Sequence, residues 1–304
     1  ALAIMQLVEK QIIHLEDPVS KYITEFKNEN HEVVLIKHLL SHAAGYFPQH
    51  RTTIAEMANK LGIDLTTVSD LAYDADFARA GVEEVSRLLN NAKNFCGKPG
   101  ERLSYSNDSY GLLTEIVHRF GGEHSYAEYV DKYIFKPLGM MRTTVGFDIL
   151  KTDENVTKLY YQENNKIIET TDFYDNAFVL MGGGAIKSTI NDLMKYVLLY
   201  LNKDNAEVIT NESLNEMMQP KLQYTIGSEY GFGLSIDQQE AVTLIGHGGA
   251  LTGVSSDMLW IPELKIGVVV LCNTSDVPVS LVSKAIISSV GNFTLPQQQI
   301  ISHE

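Results

Sequence analysis

The sequence predicts an α+β fold, on three observations. Helical periodicity dominates the first two thirds of the chain. The last third shifts to period two, with alternation over 230–236 and 255–261 and a continuous β-branched run over Ile266–Cys272. The four-residue turn Pro262-Glu263-Leu264-Lys265 joins the last two runs, which makes them an antiparallel pair, and a closing helix follows over 279–290.

Ala1-Leu2-Ala3-Ile4-Met5-Gln6-Leu7-Val8-Glu9 is apolar on nearly every face, the pattern of a helix buried all round. It has no Ser, Thr, Asp or Asn cap and no initiator Met, so the helix is entered mid-stream and the sequence is expected to be cut upstream of Ala1. Leu15-Glu16-Asp17-Pro18-Val19 is a turn with an Asp cap and Pro in the first helical turn. A short apolar helix over 35–42 is closed by Gly45. Its His38 and His42 are spaced i,i+4, but Leu39 and Leu40 follow His38 where a zinc protease motif needs Glu, so both are read as structural or surface histidines and no metal site is expected.

Residues 51–95 read as a polar helical lobe or lid, with helices over 53–61 and 81–91. Helices over 112–120, stopped by Gly121-Gly122, and over 126–135 follow. Strands over 157–161 and 166–170 flank Asn164-Asn165, a hairpin turn. Gly182-Gly183-Gly184 lacks the Lys-Ser/Thr of a phosphate-binding loop and reads as a tight packing turn before an amphipathic helix over 191–201. Leu295-Pro296-Gln297-Gln298-Gln299 reads as a polar linker, which divides the chain into one domain over 1–294, its helical lobe at roughly 35–200, and a tail over 295–304.

Composition narrows the function. The chain has 304 residues, enough for a substantial core, and a net charge of −14, which repels phosphate backbones and argues against nucleic acid. No apolar run reaches the length of a membrane-spanning helix. Cys96 and Cys272 are far apart and lie in no redox or metal spacing; two free thiols are the default reading, with a single disulfide as the alternative.

Two polar constellations carry the chemistry. Tyr105-Ser106-Asn107 follows the Pro99-Gly100 turn and sits where an extended segment becomes a buried helix, a junction that exposes polar groups at a cleft. The bland alternative is a helix cap with a tyrosine beside it. Ile245-Gly246-His247-Gly248-Gly249-Ala250 places an imidazole on stripped-down backbone at a strand edge, with N–H groups nearby to bind an oxyanion; the bland alternative is a bulge.

In this order, and with flanks at Leu15-Glu16-Asp17-Pro18-Val19, His38-Leu39-Leu40-Ser41-His42, Pro137-Leu138-Gly139-Met140 and 230–234, the chain resembles the serine β-lactamase-related family of class C β-lactamases, DD-peptidases and related esterases. Its motifs run Ser-x-x-Lys, Tyr-x-Asn, then Lys-Thr-Gly or His-x-Gly. Tyr105-Ser106-Asn107 resembles the second and His247-Gly248-Gly249 the third, but no Ser-x-x-Lys occurs in the chain. Ala1–Glu9 resembles the continuation of the helix that Ser opens, so the nucleophile and its Lys are expected a few residues before Ala1.

The resemblance implies a β-lactamase/transpeptidase-like fold, an antiparallel sheet flanked by helices with the N-terminal strands missing. It implies a serine hydrolase that forms an acyl-enzyme on amide or ester bonds of a small-molecule or peptide substrate, without a cofactor. Tyr105 becomes a base favoured by neighbouring cations, Asn107 orients the Lys and the substrate amide, and His247 replaces the Lys of class C β-lactamases. That replacement favours peptidase or esterase over strong β-lactamase activity. The Ala250 N–H forms half an oxyanion hole, and Ser106, Gly248 and Gly249 complete the substrate-binding wall. The competing reading is a non-catalytic module that binds peptide or peptidoglycan-like ligands in the same cleft.

Overall fold

A computed structural model describes residues 1–48, 59–62, 75–146, 150, 152–170, 181–239 and 242–295. Of the helix expected over 53–61, residues 59–61 are described and helical and the rest lie outside these residues, as does the tail over 295–304 apart from Leu295.

Helix α1 (Leu2–Glu9) buries Leu2, Ala3, Ile4, Met5, Gln6 and Leu7. A polar residue survives there because Gln6 Nε2 donates to the carbonyls of Tyr133 and Val208, at 3.0 and 2.7 Å. Helix α2 (Ile36–Leu40) starts where His38 Nδ1 accepts the N–H of Leu35 at 3.2 Å. Helix α3 (Ala75–Asn90) and helix α4 (Asn107–Phe120) pack together, and α1 packs on α4. Ser106 caps α4 by accepting the N–H of Ser109, and Gly121 ends it. Leu112, Leu113, Ile116 and Val117 form its buried stripe, each side chain contributing about 1.5–3 kcal/mol.

Helix α5 (Tyr126–Val130) continues into a π-turn over Asp131–Phe135. Strands β1 (Leu159–Glu163) and β2 (Lys166–Thr170) form the expected hairpin, with Asn164 and Asn165 both at positive φ as its tight turn requires. Helix α6 (Ile190–Asn202) is capped by Thr189, and α7 (Asn211–Met217), which the sequence reading did not single out, is capped by Thr210.

The main sheet is a six-stranded antiparallel meander, β3 (Leu222–Thr225), β4 (Ser228–Tyr230), β5 (Ser235–Gln238), β6 (Thr243–Leu251), β7 (Val254–Ile261) and β8 (Ile266–Cys272), in sequence order. Helix α8 (Val279–Gly291) packs on β7 and β8, and α6 packs on the same two strands. Strand alternation separates the two faces. Leu244, Leu259, Ile261 and Val268 pack with Ile287 of α8, whereas Ile245, Trp260 and Val269 join the large core shared with the helices.

The run expected as one strand over 230–236 is instead two strands and a turn. The N–H of Gly231 bonds the carbonyl of Leu234 at 2.8 Å, the N–H of Phe232 bonds that of Met217, and Gly233 has φ +77. Tyr-Gly-Phe-Gly-Leu imitates strand alternation, but its glycines serve a chain reversal. Cys96 and Cys272 are both free thiols.

Candidate active site

The imidazole of His247 is placed by strand register. His247 pairs with Met258 and Ile245 with Trp260, so His247 lies on the face of the sheet that joins the large core, two residues beyond a core position. The His-Gly-Gly segment runs in register along β7, so it is regular strand and forms no bulge. Strand β5 pairs with β6 from Thr243 to Gly246 only. From His247 onward that edge of β6 has no strand partner among the described residues, and Gly248, Gly249 and Ala250 are exposed along it.

Hydrogen bonds fix the tautomer of His247. Nδ1 lies 2.6 Å from the carbonyl of Gly248, which can only accept, so Nδ1 carries the proton. Nε2 therefore accepts from the hydroxyl of Tyr230 at 3.0 Å. Burial pushes the Tyr230 phenol well above its ordinary value, which keeps it a donor. Burial also lowers His247 below its ordinary value, more than the Gly248 carbonyl and Asp257 raise it.

Tyr105 sits across the cleft, half-buried, its ring centroid 6.2 Å from that of His247 and 6.3 Å from that of Tyr230. Beneath it lies His42, with ring centroids 4.0 Å apart. His42 is 1% exposed and also touches the rings of Tyr110 and Tyr230, at 4.8 and 5.0 Å. Its Nδ1 accepts the N–H of Ser106 at 3.1 Å.

Helix α1 begins at this same place. A Cβ on Gly233 would stand 2.8 Å from Cβ of Ala1 and 2.9 Å from the hydroxyl of Tyr110, so only glycine at φ +77 lets the β4–β5 turn close over the helix start. The backbone nitrogen of Ala1 lies within electrostatic range of both His42 and His247.

A family model described as Beta-lactamase matches residues 1–287. The chain belongs to the beta-lactamase family. Protein flp from Staphylococcus aureus (strain MW2) is 28% identical over 279 residues, which are 90% of this chain and 50% of that protein. Penicillin-binding protein 4* from Bacillus subtilis (strain 168) is 26% identical over 269 residues, 85% of this chain and 55% of that protein. The chain thus spans about half the length of the curated relatives it matches. The octameric penicillin-binding protein homologue from Pyrococcus abyssi superposes with a TM-score of 0.80 at 28% identity, covering 96% of this chain and 64% of that one. The fold is that of the β-lactamase and penicillin-binding protein serine hydrolases, as the sequence resemblance implies.

Within this beta-lactamase-family fold the expected site residues divide. Tyr105 and His247 face one another, and Asn107 opens α4 two residues on, its side chain against the backbone of Gly183. The triple glycine is thus a packing turn against α4, with the N–H of Gly182 bonded to Thr114. Ser106 does not line the cleft as expected. It is 4% exposed, and its hydroxyl is spent on the helix cap and on Asp108, at 3.2 Å.

The sequence reading missed His42, Tyr230 and Tyr224 as site residues. Tyr224 lies 6.4 Å from Tyr105 ring to ring and lines an open groove of about 420 Å³ with Glu101, Arg102 and Leu103. His38 and His42 each hold a separate backbone N–H, of Leu35 and Ser106.

Proposed function

We propose that this chain is part of a serine hydrolase that forms an acyl-enzyme on amide or ester bonds of a small-molecule or peptide substrate. The observation that carries the reading is the meeting of three elements at one place: the Tyr105 motif, the His247 strand and the start of α1. A Ser and Lys three residues apart on an N-terminal continuation of α1 would share one helix face and enter the cleft between Tyr105 and His247.

In this scheme Tyr105 takes the proton of the serine hydroxyl, and the neighbouring Lys favours its phenolate. Asn107 orients that Lys and the substrate amide. The open edge of β6 receives the substrate backbone, and the Ala250 N–H stabilises the oxyanion together with the N–H of the Ser. His247 contributes as a neutral imidazole, since burial lowers its pKa and its Nδ1 proton is committed to Gly248. It therefore supplies no standing cation for a substrate carboxylate, which favours peptidase or esterase over β-lactamase activity.

The test is a protein extended upstream through Ser-x-x-Lys, treated with a serine-directed fluorophosphonate. Stoichiometric labelling of that Ser is the expected result, and none on the 304-residue chain. An upstream reading frame without the motif, together with ligand binding but no turnover, would point to the non-catalytic module instead.

A further inference from the structure

The acyl-enzyme scheme leaves one buried polar group of the site without a task, the imidazole of His42. Three aromatic rings surround it, and Tyr105 lies closest, at 4.0 Å with the planes 34° apart. Nδ1 accepts from Ser106 N–H, so Nδ1 carries no proton and the neutral ring carries its one proton on Nε2. That N–H is buried and has no hydrogen-bond partner among the described residues. An unmatched buried donor costs on the order of 1–3 kcal/mol. Packing alone does not account for it, because an apolar ring fills the same space without an orphaned donor.

What the imidazole provides that an apolar ring cannot is the acceptor on Ser106. This bond spans 64 residues of sequence and reaches the middle of the Tyr105-Ser106-Asn107 motif. It fixes the backbone between the proposed base and the residue that orients the Lys. The same ring supplies the floor under the phenol. The backbone at His42 reinforces the placement, since φ +54 lies in the left-handed region, where His and Asn are tolerated better than bulkier residues.

We propose that His42 is a positioning residue for the Tyr105-Ser106-Asn107 motif, holding its backbone through Nδ1 and the Tyr105 ring on its face. The inference rests on the acyl-enzyme reading for its catalytic consequence and on geometry alone for the placement.

Two variants separate the two contacts. His42→Asn puts Oδ1 where Nδ1 stands, keeps the acceptor on Ser106 and suits the left-handed backbone, but removes the ring beneath Tyr105. His42→Phe keeps the ring and removes the acceptor. In the 304-residue chain, amide hydrogen exchange at Ser106 is expected to be slow in the wild type and in His42→Asn, and at least tenfold faster in His42→Phe at matched global stability. Nitrogen-15 signals of the wild-type ring are expected to show a neutral imidazole with its proton on Nε2.

In the protein extended through Ser-x-x-Lys, the fluorophosphonate labelling rate at saturation is expected to fall roughly 10–100-fold in His42→Phe and less in His42→Asn, with half-saturation within about twofold of wild type. Unchanged exchange at Ser106 in His42→Phe, or a ring with its proton on Nδ1, would overturn the placement whatever the labelling shows. Labelling of both variants at the wild-type rate would overturn the positioning role while leaving the acyl-enzyme reading intact. A wild-type protein that takes no label defeats that reading and with it the catalytic consequence, and the exchange data then decide the placement alone.

If His42→Phe fails to fold, His42→Asn still decides. Slow exchange at Ser106 with a depressed rate supports the proposal, and fast exchange overturns it.

Discussion

The two ends of helix α4 bury polar groups in opposite ways. At the C-terminal end Glu115 is 2% exposed, and Arg119 Nε donates to it at 2.6 Å. The same guanidinium grips Glu25 through two further bonds at 3.0 and 2.8 Å, and His118 lies 3.2 Å from the second oxygen of Glu115. Each buried charge meets its opposite. At the N-terminal end the buried carboxylate of Asp108, 3% exposed, has the Ser106 hydroxyl at 3.2 Å, Tyr105 is left half-buried at a cleft, and a donor on His42 goes unmatched among the described residues. One end is built to hold the helix against the 19–27 segment, and the other leaves a donor unmatched beside the residues proposed for the site.

The largest effect tests the site end. In the protein extended through Ser-x-x-Lys, Tyr105→Phe is expected to lower the acylation rate roughly 10²–10⁴-fold, the usual range for loss of a general base. Its melting temperature should stay within a few degrees of wild type, because the substitution removes only a hydroxyl from a half-buried ring. Calorimetry beside fluorophosphonate kinetics checks both. Equal losses of rate and stability would erase the contrast between the two ends.

Arg119→Ala tests the other end. It strands Glu115, which has His118 alone as a remaining ion-pair partner on α4, and should cost about 3–5 kcal/mol in urea unfolding. The rate per folded molecule should be unchanged, since Arg119 is three turns of helix from the site. The Glu25 contact predicts the order of a series: Arg119→Lys, which keeps the charge but loses the two-pronged grip, should cost less than Arg119→Ala.

How far the contrast could be read from sequence follows from how local each end is. The helix, its apolar stripe and its Gly121-Gly122 stop are periodic and contiguous, and they appear in the sequence as they do in the structure. That Tyr105 and His247 would lie close in space was legible because each lies in a short motif, in a fixed order along the chain. Ser106 was misplaced because a hydroxyl between two site residues can equally cap the helix, and only burial distinguishes the roles. His42 reads in the sequence as a structural or surface histidine. A histidine on an apolar helix has a bland explanation, and the bond that gives it a task reaches a residue 64 positions away. The strand misread over 230–236 had a local cause: glycine at alternate positions has the period of a strand and the freedom of a turn.

Acid titration sharpens the site end. Burial, helped by His247 and opposed by the Ser106 N–H bond, pushes His42 from 6.5 down to about 3. The titratable groups facing it are Tyr105, Tyr110, Tyr230 and His247. The folded protein keeps His42 neutral while the unfolded chain protonates it, so its contribution is fully present above pH 6.5 and is lost as pH falls toward about 3. By about pH 4.5 the wild type should lose on the order of 2–3 kcal/mol more than His42→Asn, relative to neutral pH. Urea midpoints at matched pH measure the difference, and parallel curves would show that the ring is not held neutral.

The smallest effect belongs to a pair that resembles Arg119 and Glu115 in chemistry alone. Lys37 on α2 lies 2.7 Å from Glu16, but their side chains are 37% and 69% exposed. Lys37→Ala should change stability by less than about 1 kcal/mol, and the change should shrink further in high salt. The distance is as short as that between Arg119 and Glu115, so proximity does not set the cost. What differs is the partner left behind: water takes over Glu16 when Lys37 is removed, and cannot reach Glu115 when Arg119 is. A Lys37→Ala loss as large as that of Arg119→Ala would mean that attraction between the charges, rather than the stranded carboxylate, holds the C-terminal end of α4, and the contrast drawn between the two ends of the helix would have to rest on the unmatched donor of His42 alone.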